Sequence, residues 1–194
     1  MDDIDAIKKT LHARRPRTAG EAYFHYMRSA VLIPLFIENG GYKILFTERS
    51  HNVEHHKGQI SFPGGVVDKK DKSFLETALR ESYEEIGLLS EDVEILGQLD
   101  EECTVTSHFV IHPFAGLIPY PYPFRINRDE VESLIAIPVR SLSGKQDLVT
   151  VDDLTYHGTI YEYEGYTIWG ATASITENLI SIMNENLSLP EKGE

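Results

Sequence analysis

The residues with the clearest chemical potential are Glu81, Glu84 and Glu85, in the stretch Arg80-Glu81-Ser82-Tyr83-Glu84-Glu85-Ile86-Gly87-Leu88. On a helix they stand at i, i+3 and i+4 and share an arc of roughly 100°, opposite an apolar stripe. Like charges at this spacing repel by ~0.2–0.5 kcal/mol per pair. Arg80, four residues before Glu84, is the only base at helical spacing to relieve them. They also crowd the C-terminal end of the helix, where the macrodipole disfavours negative charge. Divalent cations remove the conflict, because Mg²⁺ and Mn²⁺ prefer carboxylate and water oxygens and an acidic helix face can hold one or more of them. Ions held this way bridge phosphate oxygens, neutralise a diphosphate and lower the pKa of an attacking water. Three glutamates alone are better explained as a solvated acidic face. The surrounding sequence decides between the two.

The elements that would carry this face are legible from spacing. Ser73 and Glu76 have capping-box spacing and Gly87 supplies a stop, so Ser73–Ile86 is predicted as a helix burying Leu75, Ala78, Leu79, Ser82 and Ile86. Phe62-Pro63-Gly64-Gly65 before it reads as a strand end running into a turn. Upstream, Ala30–Ile37 and Tyr42–Glu48 read as two strands of a hairpin turning at Asn39-Gly40-Gly41. A polar loop from Arg49 to Gln59 carries His51, His55, His56 and Lys57; its imidazoles are more simply solvent-facing or phosphate neighbours than a metal site. Further strands are expected near 93–99, 109–118, 134–139, 148–151 and 159–163. A short helix is expected at 4–14, and a last one at 174–187 with Ser174 and Glu177 as a second capping box. Strands interleaved with good helices, without repeats or linkers, imply a single mixed α/β sandwich.

Composition narrows the function. With 194 residues the chain is long enough for one domain with a substantial core. Its net charge of −13, from 31 acids against 18 bases, argues against a nucleic-acid partner while leaving room for a small phosphorylated ligand screened by metal. The lone cysteine, Cys103, excludes an internal disulfide and a cysteine-based zinc cluster. No apolar run approaches a membrane span, and the acidic start Met1-Asp2-Asp3 lacks a secretory pattern, so a cytoplasmic location is expected.

Phe62-Pro63-Gly64-Gly65 together with Arg80 to Leu88 resembles the Nudix box: Gly, five residues, Glu, seven residues, Arg-Glu-U-x-Glu-Glu-x-Gly-U, where U is a bulky apolar residue. Ser82 stands at one U position. In the first half, Asp71 replaces the glutamate and eight residues separate it from Arg80. That longer spacing with Asp is similar to the coenzyme A pyrophosphatase-like branch of the family. Leu45-Phe46-Thr47-Glu48-Arg49-Ser50 and Gly58 to Gly65 resemble that branch's upstream signature, with Glu54 where it has Arg. Thr104 to Phe109, with His108 in place of a usual glycine, and Ile168-Trp169-Gly170-Ala171 resemble further stretches of it. The similarity runs from about Ala30 to Met183.

The resemblance implies a single-domain Nudix α/β/α sandwich over residues 30–187, with an N-terminal helical extension at 1–29 and a tail at 188–194. It implies that Glu81, Glu84 and Glu85, with the carbonyl of Gly65, ligate Mg²⁺ or Mn²⁺. Glu81, Glu84 and Arg80 are then the expected catalytic set, and Arg49, His55, Lys57 and Gly64 the expected substrate contacts. The implied reaction splits coenzyme A or an acyl-CoA into 3′,5′-adenosine diphosphate and (acyl-)4′-phosphopantetheine. Other Nudix substrates (ADP-ribose, a dinucleotide, a nucleoside triphosphate) and a non-catalytic ligand-sensing module are the alternatives. The general base stays open among Glu81, Glu84 and the remote Glu130, and so does the choice between monomer and homodimer. Tyr120 to Phe124 is expected to be a rigid turn packed on the domain, and Trp169 a packing anchor that also walls the substrate cleft.

Overall fold

The computed structural model describes residues 3–50, 58–104, 106–151 and 154–186. Its frame is β1 (Met27–Glu38), which runs parallel to β7 (Phe109–Leu117) and antiparallel to β2 (Gly41–Arg49). The turn between β1 and β2 is two residues, Asn39 and Gly40, both at positive φ (52° and 74°). Asn and Gly tolerate that region, and such a turn matches the twist of the strands it joins. β5 (Glu94–Gln98) and β6 (Glu102–Thr104) pair with β7, and β8 (Val131–Pro138) pairs with β2.

β1 and β2 diverge after a short paired stretch, and the chain from Ile60 to Val66 fills the opening. Its first part, β3 (Ile60–Ser61), pairs with β2; its second part, β4 (Gly64–Val66), pairs with β1. Between them the carbonyl of Pro63 accepts from Leu32 N at 3.0 Å. Gly64 and Gly65, expected in a turn, are therefore strand residues. Pro63 has no N–H to lose at the crossover, and the two glycines let the backbone press against β1.

Side chains alternate along β1: Ala30, Leu32 and Phe36 point to one face, Ile33 and Leu35 to the other. The first face is covered by α2 (Phe74–Ile86), through Ala78 and Ile86. The second is covered by α1 (Asp3–Ala13), through Ile7 and Leu11, and α3 (Gly170–Asn186), through Leu179 and Met183. This is the mixed α/β/α sandwich. The N-terminal helix thus contributes to the core, and Met27 to Ser29, placed by sequence in the extension, begin β1. A smaller sheet, β9 (Lys145–Val151), β10 (Leu154–Tyr163) and β11 (Tyr166–Ile168), packs beside α3.

The second capping box does not form. α3 begins at Gly170, so Ser174 lies inside it; its hydroxyl donates to Glu102 at 2.6 Å, while Glu177 accepts from Thr159 at 3.0 Å. Tertiary partners outcompeted the local cap. Tyr122 and Phe124 pack on the α2-side core, Tyr120 stacks on Phe36, and the Tyr122 hydroxyl donates to Asp92 at 2.8 Å, so this turn is packed on the domain.

A Cβ on Gly64 would fall 2.3 Å from the carbonyl oxygen of Ala30, and no flexible side chain can yield there. Gly64→Ala is expected to lower stability by ~1–3 kcal/mol, the usual range for overpacking, measured by urea unfolding.

Candidate active site

α2 is set in place from both ends. Ser73 Oγ accepts from Glu76 N at 3.1 Å, satisfying one of the first orphan donors, and Glu76 Oε2 accepts from Lys72 N at 2.7 Å, tying the chain before the cap to the helix. At the other end Gly87 turns left-handed (φ 69°) and its N–H donates to Tyr83 O at 2.9 Å. The backbone N–H groups of Arg125 and Asn127 then donate to the carbonyls of Ile86 (2.9 Å) and Glu85 (2.8 Å). With its terminal carbonyls engaged, this helix end tolerates acidic side chains better than an open one.

Asp71 is the residue whose role the sequence left undefined. Its two oxygens accept from Arg80 Nε (3.0 Å) and Nη2 (2.9 Å), the paired fork that guanidinium and carboxylate geometries match. Thr77 Oγ1 (2.8 Å) and Asp68 N (2.9 Å) also donate to it. Asp71 is nearly inaccessible, and the Arg80 fork holds its carboxyl well below the usual carboxylate range. Thus fixed, Arg80 turns Nη1 toward the acidic face and donates to Glu81 at 2.7 Å and Glu84 at 3.0 Å, while Nη2 also reaches Val66 O at 3.2 Å.

The three glutamates occupy graded environments. Glu84 is exposed and Glu81 half-buried. Glu85, expected on the arc opposite the apolar stripe, is instead only 4 % exposed and flanks that stripe. Its Oε2 accepts from Gly64 N at 3.3 Å, and the nearby Arg49 charge favours its ionised form. Burial is the stronger effect and pushes its pKa up to about 8; burial also raises Glu81. Gly65 leaves room for Glu81: a Cβ would sit 2.4 Å from its carboxyl carbon and force the carboxylate to shift. Glu130, remote in sequence, is brought near enough for its charge to raise both Glu81 and Glu85. Its backbone is tied to Ser50 N (2.8 Å) and Asn127 O (3.1 Å).

The fold therefore gathers Glu81, Glu84, Glu85, Arg80, Gly64, Gly65 and Arg49. The other expected substrate contacts, His55 and Lys57, lie outside the described residues with His51, Glu54 and His56. Arg49 Nε is buried without a hydrogen-bond partner among the described residues. Reasoning from sequence missed the Asp71 brace and the Val66 carbonyl; the one signal for the first was an acid nine residues before Arg80. The Cys103 thiol is pushed up by burial, the opposite of activation.

Among the described residues no three His, Cys, Asp or Glu side chains close into a metal cage. The carboxylates instead form an open face of hard oxygen donors, two of them desolvated. That suits Mg²⁺ or Mn²⁺, which keep several waters and share carboxylates with substrate phosphates rather than filling an all-protein cage. A carboxylate-bearing helix braced against a glycine strand, on a mixed sheet between helices, defines a metal-assisted phosphoanhydride hydrolase.

The NUDIX domain family model matches residues 26–156. A Nudix hydrolase of Citrobacter koseri called NudL, itself uncharacterised, is 35 % identical over 181 residues, covering 91 % of this chain and 92 % of its own. The NudL of Yersinia pestis is 36 % identical over 156 residues, covering 78 % and 77 %. The solved structure of the Mycobacterium smegmatis Nudix hydrolase RenU ("M. Smegmatis") shares the fold, with a TM-score of 0.59 at 15 % identity over 86 % of this chain and 91 % of that one. The chain belongs to the Nudix hydrolase family and is a pyrophosphohydrolase acting on nucleoside-diphosphate-linked substrates. Nudix hydrolases generally require divalent metal ions. None of the described helices is long and apolar enough to cross a membrane.

Two outcomes follow from these environments. With its folded pKa raised from 4.5 to about 8, Glu85 makes the native state bind more protons than the unfolded state between those values, so its contribution to stability falls as pH rises through that window. Without metal at pH 8, Glu85→Gln is expected to raise the melting temperature, measured by differential scanning calorimetry in a chelator, and to abolish turnover when metal is restored. Asp71→Asn frees the Arg80 fork and is expected to cost ~2–3 kcal/mol in urea unfolding, below the full loss for a buried pair because Arg80 is partly exposed.

Proposed function

We propose that the chain hydrolyses the diphosphate bond of coenzyme A or an acyl-CoA, yielding 3′,5′-adenosine diphosphate and (acyl-)4′-phosphopantetheine. Glu81, Glu84, Glu85 and the Gly65 carbonyl hold Mg²⁺ or Mn²⁺ in this reading. The observation that carries it is the Asp71–Arg80 fork. The longer spacing and the aspartate, the features the box shares with the coenzyme A branch, build a complete brace for the glutamates rather than breaking the box. The upstream stretch Leu45 to Ser50 and Gly58 to Gly65 supports the same substrate class, since it supplies Arg49, β3 and the glycines beside Glu85.

The bound ions would supply charge neutralisation to the diphosphate oxygens and acidity to a water. The chain's own residues do the rest. Arg80, fixed by Asp71, orients Glu81 and Glu84 and is a positioning residue. Glu85, which accepts from Gly64 N and is the most buried of the three glutamates, holds the inner end of the acidic face. Arg49, near enough to Glu85 for its charge to act on it, presents a guanidinium to an anionic substrate. Glu81 and Glu84 are held by Arg80 at 2.7 and 3.0 Å and are committed to the metal in this reading. Glu130 is exposed and accepts only from Asn127 Nδ2 (3.3 Å) among the described residues, so we assign it as the general base.

The test is hydrolysis of coenzyme A, hexanoyl-CoA, ADP-ribose, NADH and ATP with Mg²⁺ or Mn²⁺, with products resolved by chromatography. The expected outcome is preferential release of 3′,5′-adenosine diphosphate from the CoA compounds. A preference for ADP-ribose, NADH or ATP would overturn the substrate, and no turnover of any would overturn the enzyme. Glu130→Gln is expected to lower kcat ~10²–10⁴-fold, the usual worth of general-base catalysis, with Mn²⁺ affinity unchanged by calorimetry.

A further inference from the structure

A space beside the site lies away from Glu81, Glu84 and Glu85. It is a cleft of about 660 Å³ between the start of β3 and the smaller sheet, within the size range of small-molecule sites. Ile60, Ile160, Tyr166 and Trp169 give it an apolar wall, and Thr150 and Thr167 add hydroxyl groups. Three carboxylates, Glu48, Asp147 and Glu162, also line it, with no Lys or Arg among its described lining residues. Lys145 beside it bonds both Glu162 (3.0 Å) and Asp147 (3.4 Å), so one ammonium stands against three carboxylates. Such a lining repels a phosphorylated group and accepts an uncharged one.

The position of the cleft relates it to the reaction. Along β2, Ile44 and Phe46 face the α3 side while Leu45 faces α2. By the same alternation Glu48 points toward the cleft and Arg49 toward Glu85. One segment links the cleft to the glutamate site: Ile60 at its start lines the cleft, and Gly64 further along donates to Glu85. The four steps from Ile60 to Gly64 span ~13 Å of extended chain. From its phosphate oxygen to its sulfur a pantetheine arm has about twelve backbone bonds, as many as about four residues, and reaches ~14 Å.

We infer that this cleft is the subsite for the uncharged, amide-bearing half of the substrate, the pantetheine arm and its acyl chain, while the phosphorylated nucleoside stays on the Arg49 side. The inference rests on the coenzyme A reading above. In that arrangement the acids discriminate against a substrate that carries a further phosphate beyond the diphosphate, which would meet Glu48, Asp147 and Glu162, whereas a CoA ester brings only its uncharged amide chain there.

The test fills the cleft. Thr150→Trp places an indole at an exposed strand position of the lining, and Thr167→Trp does so from the opposite wall should the first fail to fold by circular dichroism. Neither residue belongs to the glutamate site. The readouts are kcat/KM for hexanoyl-CoA and the inhibition constant of 3′,5′-adenosine diphosphate. Expected is a loss of at least about tenfold in kcat/KM, the scale of lost apolar pocket contacts, with the inhibition constant unchanged. Unchanged kcat/KM would overturn the subsite, and a weakened 3′,5′-adenosine diphosphate would show that the nucleoside occupies the cleft instead. Calorimetric titration of hexanoyl-pantetheine, which has no phosphate, separates the two failures. Binding to wild type that the tryptophan weakens supports the cleft even if wild type leaves CoA esters intact. Absence of binding overturns the cleft even if CoA is hydrolysed.

Discussion

Three carboxylates converge on one guanidinium. Asp71, Glu81 and Glu84 all accept hydrogen bonds from Arg80, and Glu85 lies one helical turn beyond Glu81. Without that fixed charge the acidic face would spread into solvent or protonate. A lysine would not substitute, because only a planar fork can bind one carboxylate with two atoms and still present a third nitrogen to two others. The bridge also explains why the glutamates form an open face rather than a closed cage: Arg80 Nη1 lies between Glu81 and Glu84 and bonds one oxygen of each.

The brace needs a rigid background, which comes from the way β1 and β2 part. Once they diverge, each leaves unpaired backbone groups, and one continuous segment, Ile60 to Val66, satisfies both. The segment has to cross between strands and approach β1 closely, so a proline and two glycines stand at its centre. Gly65 then leaves space for Glu81, and Gly64 donates to Glu85. The same short run is therefore both sheet repair and one wall of the carboxylate site.

Charge is distributed unevenly across the sheet. On the α2 face Arg80 and Arg49 meet the glutamates, and burial rather than pairing dominates the pKa values of Glu81 and Glu85. On the opposite face Arg14 and Arg17 are taken up by Asp100, which accepts from Arg17 N and Nε at 2.8 Å, holding the segment after α1 against the sheet. In a chain of net charge −13, few bases remain to attract phosphate. Arg49, held by β2 at the mouth of the diverging strands, is one of them.

What the sequence by itself determined is local. The Ser73 cap, the Gly87 stop, the helical spacing of Arg80, Glu81, Glu84 and Glu85, and the Asn39-Gly40 turn each depend on neighbours within about four residues, so they could be read from order alone. The sandwich class was legible for the same reason, from alternating strands and amphipathic helices. Tertiary structure decided whatever depends on residues far apart in the chain. Ser174 could have capped a helix, but Glu102, seventy-two positions away, claimed its hydroxyl. Glu85 looked like a third solvent-facing acid until β4 covered it, and Glu130, a remote candidate in the sequence, comes near the glutamates only because the chain between β7 and β8 bonds back to the end of α2. Asp71 lay beyond the reach of helical periodicity because its partner is reached through a turn. Sequence sets which groups can pair; burial and approach across the fold, which sum contributions from several elements at once, decide which pairs form and how strongly each carboxyl holds its proton.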